Sequence, residues 1–151
     1  MEPRKTSDFI DRLVHVDGID FPELVLRPDN LECELGKVRL ELSSAEFVML
    51  WLFAIRCKNS NPPLKGNHAL LEEFVAFSES VSMEIMPGIG HSARFAGFTE
   101  KEVADTADTL SEKIRAAVST EKCIDYIIPV KPNSTFSILI PTEKIFCPRN
   151  Y

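Results

Sequence analysis

The chain has 151 residues, with 17 Lys and Arg against 23 Asp and Glu for a formal net charge of -6, and 44% hydrophobic and 26% charged side chains. A chain of this size buries roughly 70% of the surface its unfolded form exposes, which argues against intrinsic disorder, a collagen or a disulfide scaffold. The acidic balance also counts against a protein that lives on phosphate backbone, because that affinity comes from Lys and Arg displacing counterions.

Residues 1–20 read as a charged leader or linker in which Phe9, Ile10, Leu13 and Val14 form one short amphipathic turn before Gly18. The leader has early positive charge but neither a continuous apolar core nor a small-residue cleavage site, so no signal peptide is expected. The folded domain is expected over 21–147, with 148–151 as a tail. Leu24-Val-Leu-Arg, a Pro28-Asp-Asn turn, Leu31-Glu-Cys-Glu-Leu, a Gly36-Lys corner and Lys37-Val-Arg-Leu-Glu-Leu read as a small antiparallel platform. Val38, Leu40 and Leu42 alternate with Arg39 and Glu41, the period of a sheet with one wet face.

Ser43 with Glu46 forms a capping box, and Leu42 with Phe47 stands where a hydrophobic staple belongs, so a first helix is expected to start at Ser44. Phe47, Leu50, Trp51, Ala54 and Ile55 share one face that Val48, Met49 and Leu52 widen, the pattern of a helix buried on most sides. Asn59-Ser-Asn-Pro-Pro ends it. A second helix is expected from about Asn67 to Ser80. Ser82 to Phe98 is broken by Pro87, Gly88 and Gly90, a long connection of the kind that is usually functional or disordered. Thr99 with Glu102 repeats the capping box and opens a third helix, with Val103, Ala107, Leu110, Ile114 and Ala117 as its buried stripe through about Val118. Ile124 to Val130 and Thr135 to Ile140 read as two strands joined by Lys131-Pro-Asn-Ser, and Thr142 to Tyr151 either adds a short edge strand or trails free.

This order of small sheet, three helices and terminal hairpin resembles an α+β winged-helix domain of the response-regulator type. Val38-Arg-Leu-Glu-Leu-Ser-Ser-Ala-Glu-Phe47 and Ser134-Thr-Phe-Ser-Ile-Leu-Ile-Pro-Thr-Glu-Lys-Ile145 resemble, more narrowly, the carboxyl-terminal part of a CRISPR-associated family. Its longer members pair a CARF-like, ring-nuclease-related sensor domain with a winged helix. No strand-helix-strand unit or Gly-rich turn precedes residue 24, so no catalytic residue carries over. The resemblance therefore implies either a separate small accessory protein or a part whose sensor half is another chain. It also implies a role in antiviral defence, with a CARF-like sensor domain or a second copy of the chain as partner.

The longest apolar run, Phe47 to Ile55, is nine residues, about half of the ~20 a membrane-spanning helix needs. Residence in the cytoplasm is the expectation, and Cys33, Cys57, Cys123 and Cys147, far apart in sequence, read as free thiols rather than a metal or redox site. His15, His68 and His91 each stand alone. Gly88-Ile-Gly90-His91-Ser92 lacks the preceding strand and the Lys of a nucleotide loop. No enzyme, cofactor or metal site is therefore expected.

Two binding modes are left. In the long loop, Met83, Ile85, Met86 and Phe95 either fold over the core or form an adaptable apolar contact surface for a protein partner. The competing mode is a DNA-binding regulator using Lys101 and Arg115 on the third helix with Lys131 and Asn133 at the hairpin. It is disfavoured because Asp105, Asp108 and Glu112 occupy the face that would meet phosphates, where a major-groove helix needs Arg, Lys, Asn or Gln.

Overall fold

The computed structural model describes residues 21–82, 97–118 and 123–147. The chain opens with strands β1 (Leu24–Arg27), β2 (Glu32–Leu35) and β3 (Val38–Leu40), paired antiparallel in sequence order. Leu24, Leu26, Cys33, Leu35 and Leu40 are buried on one face, but the alternation expected over Val38, Leu40 and Leu42 holds only in part: Leu42 lies beyond β3 and is half-buried, and Val38, on the edge strand, is 44% exposed. The other face carries ion pairs, with Arg27 reaching Glu34 at 3.3 Å and Arg39 reaching Glu32 at 3.5 Å. Gly36 turns the corner at φ +65°, where its N–H donates to Glu23 O at 2.7 Å.

Helix α1 (Ser44–Lys58) starts where its capping box dictates. Glu46 N–H donates to Ser43 Oγ at 3.2 Å, and Glu46 Oε1 accepts from Ser43 N–H at 2.9 Å. Every residue from Glu46 to Ile55 is buried, so α1 is the axis around which the domain packs. Trp51 sits at its centre, edge-on to Phe47 and to Phe77, with ring centroids 6.1 and 5.3 Å away. After the Asn59–Pro63 bend comes strand β4 (Leu64–Lys65), then Gly66 at φ +94° and helix α2 (Asn67–Ser82).

Helix α3 (Glu100–Val118) carries the second capping box, with Thr99 N–H on Glu102 Oε1 at 2.8 Å and Glu102 N–H on Thr99 Oγ1 at 3.1 Å. Of the expected stripe, Val103, Ala107, Leu110 and Ile114 are fully buried and Ala117 is half-buried. Lys113 ties this helix to the start of α1, donating to Glu46 Oε1 and to Glu41 O, both at 2.7 Å. Ser111 is also buried, and among the described residues its hydroxyl has no hydrogen-bond partner. Ser111→Ala is therefore expected to stabilise the domain by about 1 kcal/mol, from an unsatisfied hydroxyl removed and a better helix former gained. A urea midpoint unchanged or lowered would contradict this.

The carboxyl-terminal part departs from expectation. Ile124 to Val130 is not a strand: Ile124–Ile127 forms a one-turn helix α4, and only Val130–Lys131 (β5) is extended and paired. Thr135 to Ile140 shortens to strand β6 (Thr135–Phe136). The physical reason is what lies alongside. Ser137 N–H still donates to Pro129 O in the hairpin register, but Leu139 N–H donates to Tyr126 O within α4 instead of to a partner strand. The hairpin does exist, but short, with Asn133 and Ser134 at positive φ in its turn. Its second strand also pairs antiparallel with β4, giving the sheet order β4-β6-β5. After a 3-10 turn at Thr142–Lys144, strand β7 (Ile145–Phe146) joins β1 in parallel, so the platform reads β3-β2-β1-β7. The tail thus supplies the edge strand, one of the two outcomes expected for it. Among the described residues the fold is α+β with four helices rather than three, one mixed sheet and one antiparallel sheet.

Candidate functional site

The capping box fixes where α3 begins, and the buried stripe fixes which way it faces. Lys101, Asp105, Asp108, Glu112 and Arg115 consequently all lie exposed on the outward side. Lys101 Nζ donates to Asp105 Oδ2 at 2.9 Å, and this bond together with the Asp105 charge raises the ammonium's pKa. The cation at the head of the helix is thus matched by an acid one turn on, which leaves Asp108 and Glu112 to set the sign of the middle of the face. Arg115 stands exposed beyond them.

The hairpin offers less positive charge than its sequence suggests. Lys131 does not project from the turn. Its Nζ folds back to donate to Asp125 O at 2.6 Å and Tyr126 O at 3.1 Å, a cation on the terminal carbonyls of α4. Burial pushes its pKa down to about 8, opposed by the Asp125 charge. Asn133 is exposed at the tip. The sequence-derived nucleic-acid set is therefore split into a paired Lys101, an exposed Arg115 and Asn133, and a Lys131 engaged in the fold.

The lowered Lys131 value makes a pH prediction. An unfolded chain holds this proton up to about 10.5 and the folded chain only to about 8, so the unfolded state binds more protons between those values. Stability supplied through this group accordingly rises as pH increases through that window. Urea midpoints measured from neutral pH to about pH 10 are expected to show this rise in the wild type relative to Lys131→Met. Parallel pH curves for the two proteins would count against it.

The predicted partner-contact residues Met83, Ile85, Met86 and Phe95 lie outside the described residues, as do His91 and the Gly88–Gly90 turn. The flanks of that segment are described. Val81 is buried at the end of α2, and Phe98 packs on Phe74 with ring centroids 5.5 Å apart. Beside Phe98 a hollow on α2, lined by Leu71, Val75 and Ala76, is rimmed by Glu72 and Glu79.

His68, solitary in the sequence, gains company in space. Its Nε2 lies 3.1 Å from Glu72 Oε2 and its Nδ1 3.2 Å from Glu100 Oε2, so it links the starts of α2 and α3. With one carboxylate on each side of the ring, both nitrogens are engaged and the acids do not converge on a common point. Among the described residues no group of three or more His, Cys, Asp or Glu could hold a metal ion. Nor is any described helix long and apolar enough to cross a membrane. Three cysteines are buried and one is half-buried. Burial pushes the Cys33 thiol up to about 12 and the Cys147 thiol to about 11, away from the thiolate a nucleophile needs.

One site was not legible in sequence. A cavity of about 290 Å³ lies between the end of α1, the Asn61-Pro-Pro bend and the extended Phe136–Leu139 segment. Its residues come from three separate stretches that only the fold brings together. No family model, curated protein or solved structure matches this chain.

Proposed function

We propose that this chain is a non-enzymatic module of winged-helix type that acts through protein contacts, as an accessory to a CRISPR-associated sensor in antiviral defence. The observation that carries the reading is the outward face of α3, where Asp105, Asp108 and Glu112 are exposed and Lys101 is paired with Asp105. A helix that reads a groove presents cations and amides to DNA; this one presents acids. The winged-helix part is supported by the sheet order β4-β6-β5, in which a strand between the first two long helices pairs with the second strand of a hairpin after the third. The link to CRISPR-associated sensors rests on the sequence resemblance over 38–47 and 134–145. It makes a CARF-like sensor domain, or a second copy of this chain, the partner to try first.

The experiment is a titration of labelled duplex DNA by fluorescence anisotropy at about 50 and about 200 mM salt. Only weak binding is expected at low salt and none at the higher. Tight binding with a steep salt dependence would sink the interaction reading in favour of the DNA-binding regulator. Sedimentation velocity of the chain with and without a CARF-like sensor then reads out the protein contact. A monomer that stays unchanged in both runs would contradict the partner assignment.

A further inference from the structure

The cavity beside Pro62 and Pro63 has an apolar floor and a rim that holds one kind of charge. Phe53, Phe136 and Ile138 are buried at its base, whereas Asn61, Pro62 and Pro63 are exposed at its mouth. Among the described residues that line it, Arg56 alone is charged and no Asp or Glu joins it, in a chain whose formal net charge is -6. Arg56 also holds the rim in place. Its carbonyl accepts from Asn61 N–H at 2.9 Å, and its Nη2 donates to Pro62 O at 2.7 Å, so the guanidinium lies against the wall that Pro62 forms.

Most of that guanidinium is not engaged. Its planar fork carries five N–H donors. Among the described residues only Pro62 O takes one of them at hydrogen-bond distance, and Glu73, itself 49% exposed, stands 3.6 Å from Nη1. The Arg56 side chain is only 20% exposed, and a charge so far out of water is ordinarily both paired and hydrogen-bonded. The Asn61 amide and the Ser137 hydroxyl belong to the same lining, and neither side chain hydrogen-bonds to another described residue. Cys57, by contrast, is engaged, its thiol donating to Ile140 O at 3.4 Å. The lining thus sets unengaged donors, one group of them cationic, beside an apolar floor.

We propose that this cavity binds a small monocarboxylate with a flat apolar body, of the size and class of an arylacetate. The carboxylate accepts from the remaining N–H groups of Arg56 at the rim, with Asn61 and Ser137 as further donors, and the ring packs on Phe53, Phe136 and Pro63. A volume of about 290 Å³, at about 30 Å³ for each water-sized group, holds roughly ten non-hydrogen atoms, the number in phenylacetate. The site goes beyond the protein-contact reading and does not depend on it, so either can fail alone.

The test uses the full chain labelled with 15N and two probes of one shape. Phenylacetate carries the charge, and phenylacetamide keeps the ring and the size without it. Saturable shifts are expected at Cys57, Asn61, Ser137 and Leu139 with phenylacetate, at a dissociation constant of about 1 mM or tighter, an ordinary yield for about ten such atoms. Phenylacetamide should bind at least about tenfold more weakly, the difference that a charge-assisted hydrogen bond makes. Arg56→Met should weaken phenylacetate by a similar factor and leave phenylacetamide unchanged. Glu73→Gln, which removes the acid beside Arg56, should keep or strengthen phenylacetate binding. Equal binding of the two probes, shifts elsewhere in the chain, or no saturation by about 10 mM would overturn the proposal. So would full phenylacetate affinity in Arg56→Met, or its loss in Glu73→Gln. Should Arg56→Met fail to fold, the two probes on the wild type decide alone, because their contrast involves no substitution.

Discussion

Trp51→Ala is expected to destabilise the domain by about 3–5 kcal/mol, the largest effect of any single truncation proposed for this chain. Trp51 has no exposed surface, lies on the one helix that is buried along ten consecutive positions, and meets Phe47 and Phe77 edge-on. Removing the indole deletes those aromatic contacts and leaves a void that rigid neighbours on α1 and α2 close only in part. Against a typical total of about 5–15 kcal/mol, a loss of this size leaves the variant marginal. Its thermal midpoint should fall by roughly 10 °C or more in a melt followed by circular dichroism. The control is Val38→Ala, at a position 44% exposed on the sheet edge, where a change within about 0.5 kcal/mol is expected. Equal losses for the two variants would mean that α1 is not the packing axis.

The second large effect is a gain. Replacing Asp105, Asp108 and Glu112 together by Lys is expected to convert a face that repels phosphate into one that binds it. All three are exposed, so the substitutions leave the buried stripe untouched, and thermal stability should stay close to that of the wild type. Three added phosphate contacts correspond to a salt slope of about -2.7, so affinity for duplex DNA should fall about 40-fold between 50 and 200 mM salt. The wild type is expected to lack that steep component in the same assay. If the triple variant gains nothing, the shape of this surface, and not its charge, is what keeps DNA away, and the acidic face loses its value as the deciding observation.

The parts of the fold that could be read from sequence are those fixed by local chemistry. Ser43 with Glu46 and Thr99 with Glu102 announce helix starts through bonds three residues apart, and both boxes form. The spacing of Val103, Ala107, Leu110 and Ile114 sets the orientation of α3, and hence which acids face outward. The misreadings occur where tertiary neighbours decide. Ile124-Asp-Tyr-Ile-Ile has the β-branched composition of a strand, yet Cys123 O accepts from the Tyr126 and Ile127 N–H groups and closes a helical turn. Strand β4 is two residues between a proline and a glycine, too short to carry a period. The cavity beside Pro62 and Pro63 is illegible for the same reason, because the fold alone brings the end of α1, the Asn61-Pro-Pro bend and the Phe136–Leu139 segment together.

The parallel pairing of β7 with β1 reaches beyond the folded state. Leu24 lies opposite Ile145, and Lys144 Nζ donates to Phe21 O at 2.8 Å, so the first and last described strands are fastened to each other. During synthesis at about 5–20 residues per second, roughly 6–24 s separate the emergence of these two partners. Throughout that interval β1 presents an uncompleted edge, the kind of surface on which nascent chains pair wrongly. The platform is thus the first part of the domain to be made and among the last to be finished. A chain synthesised only as far as Lys144 contains every described helix in its sequence but a platform that still lacks its fourth strand.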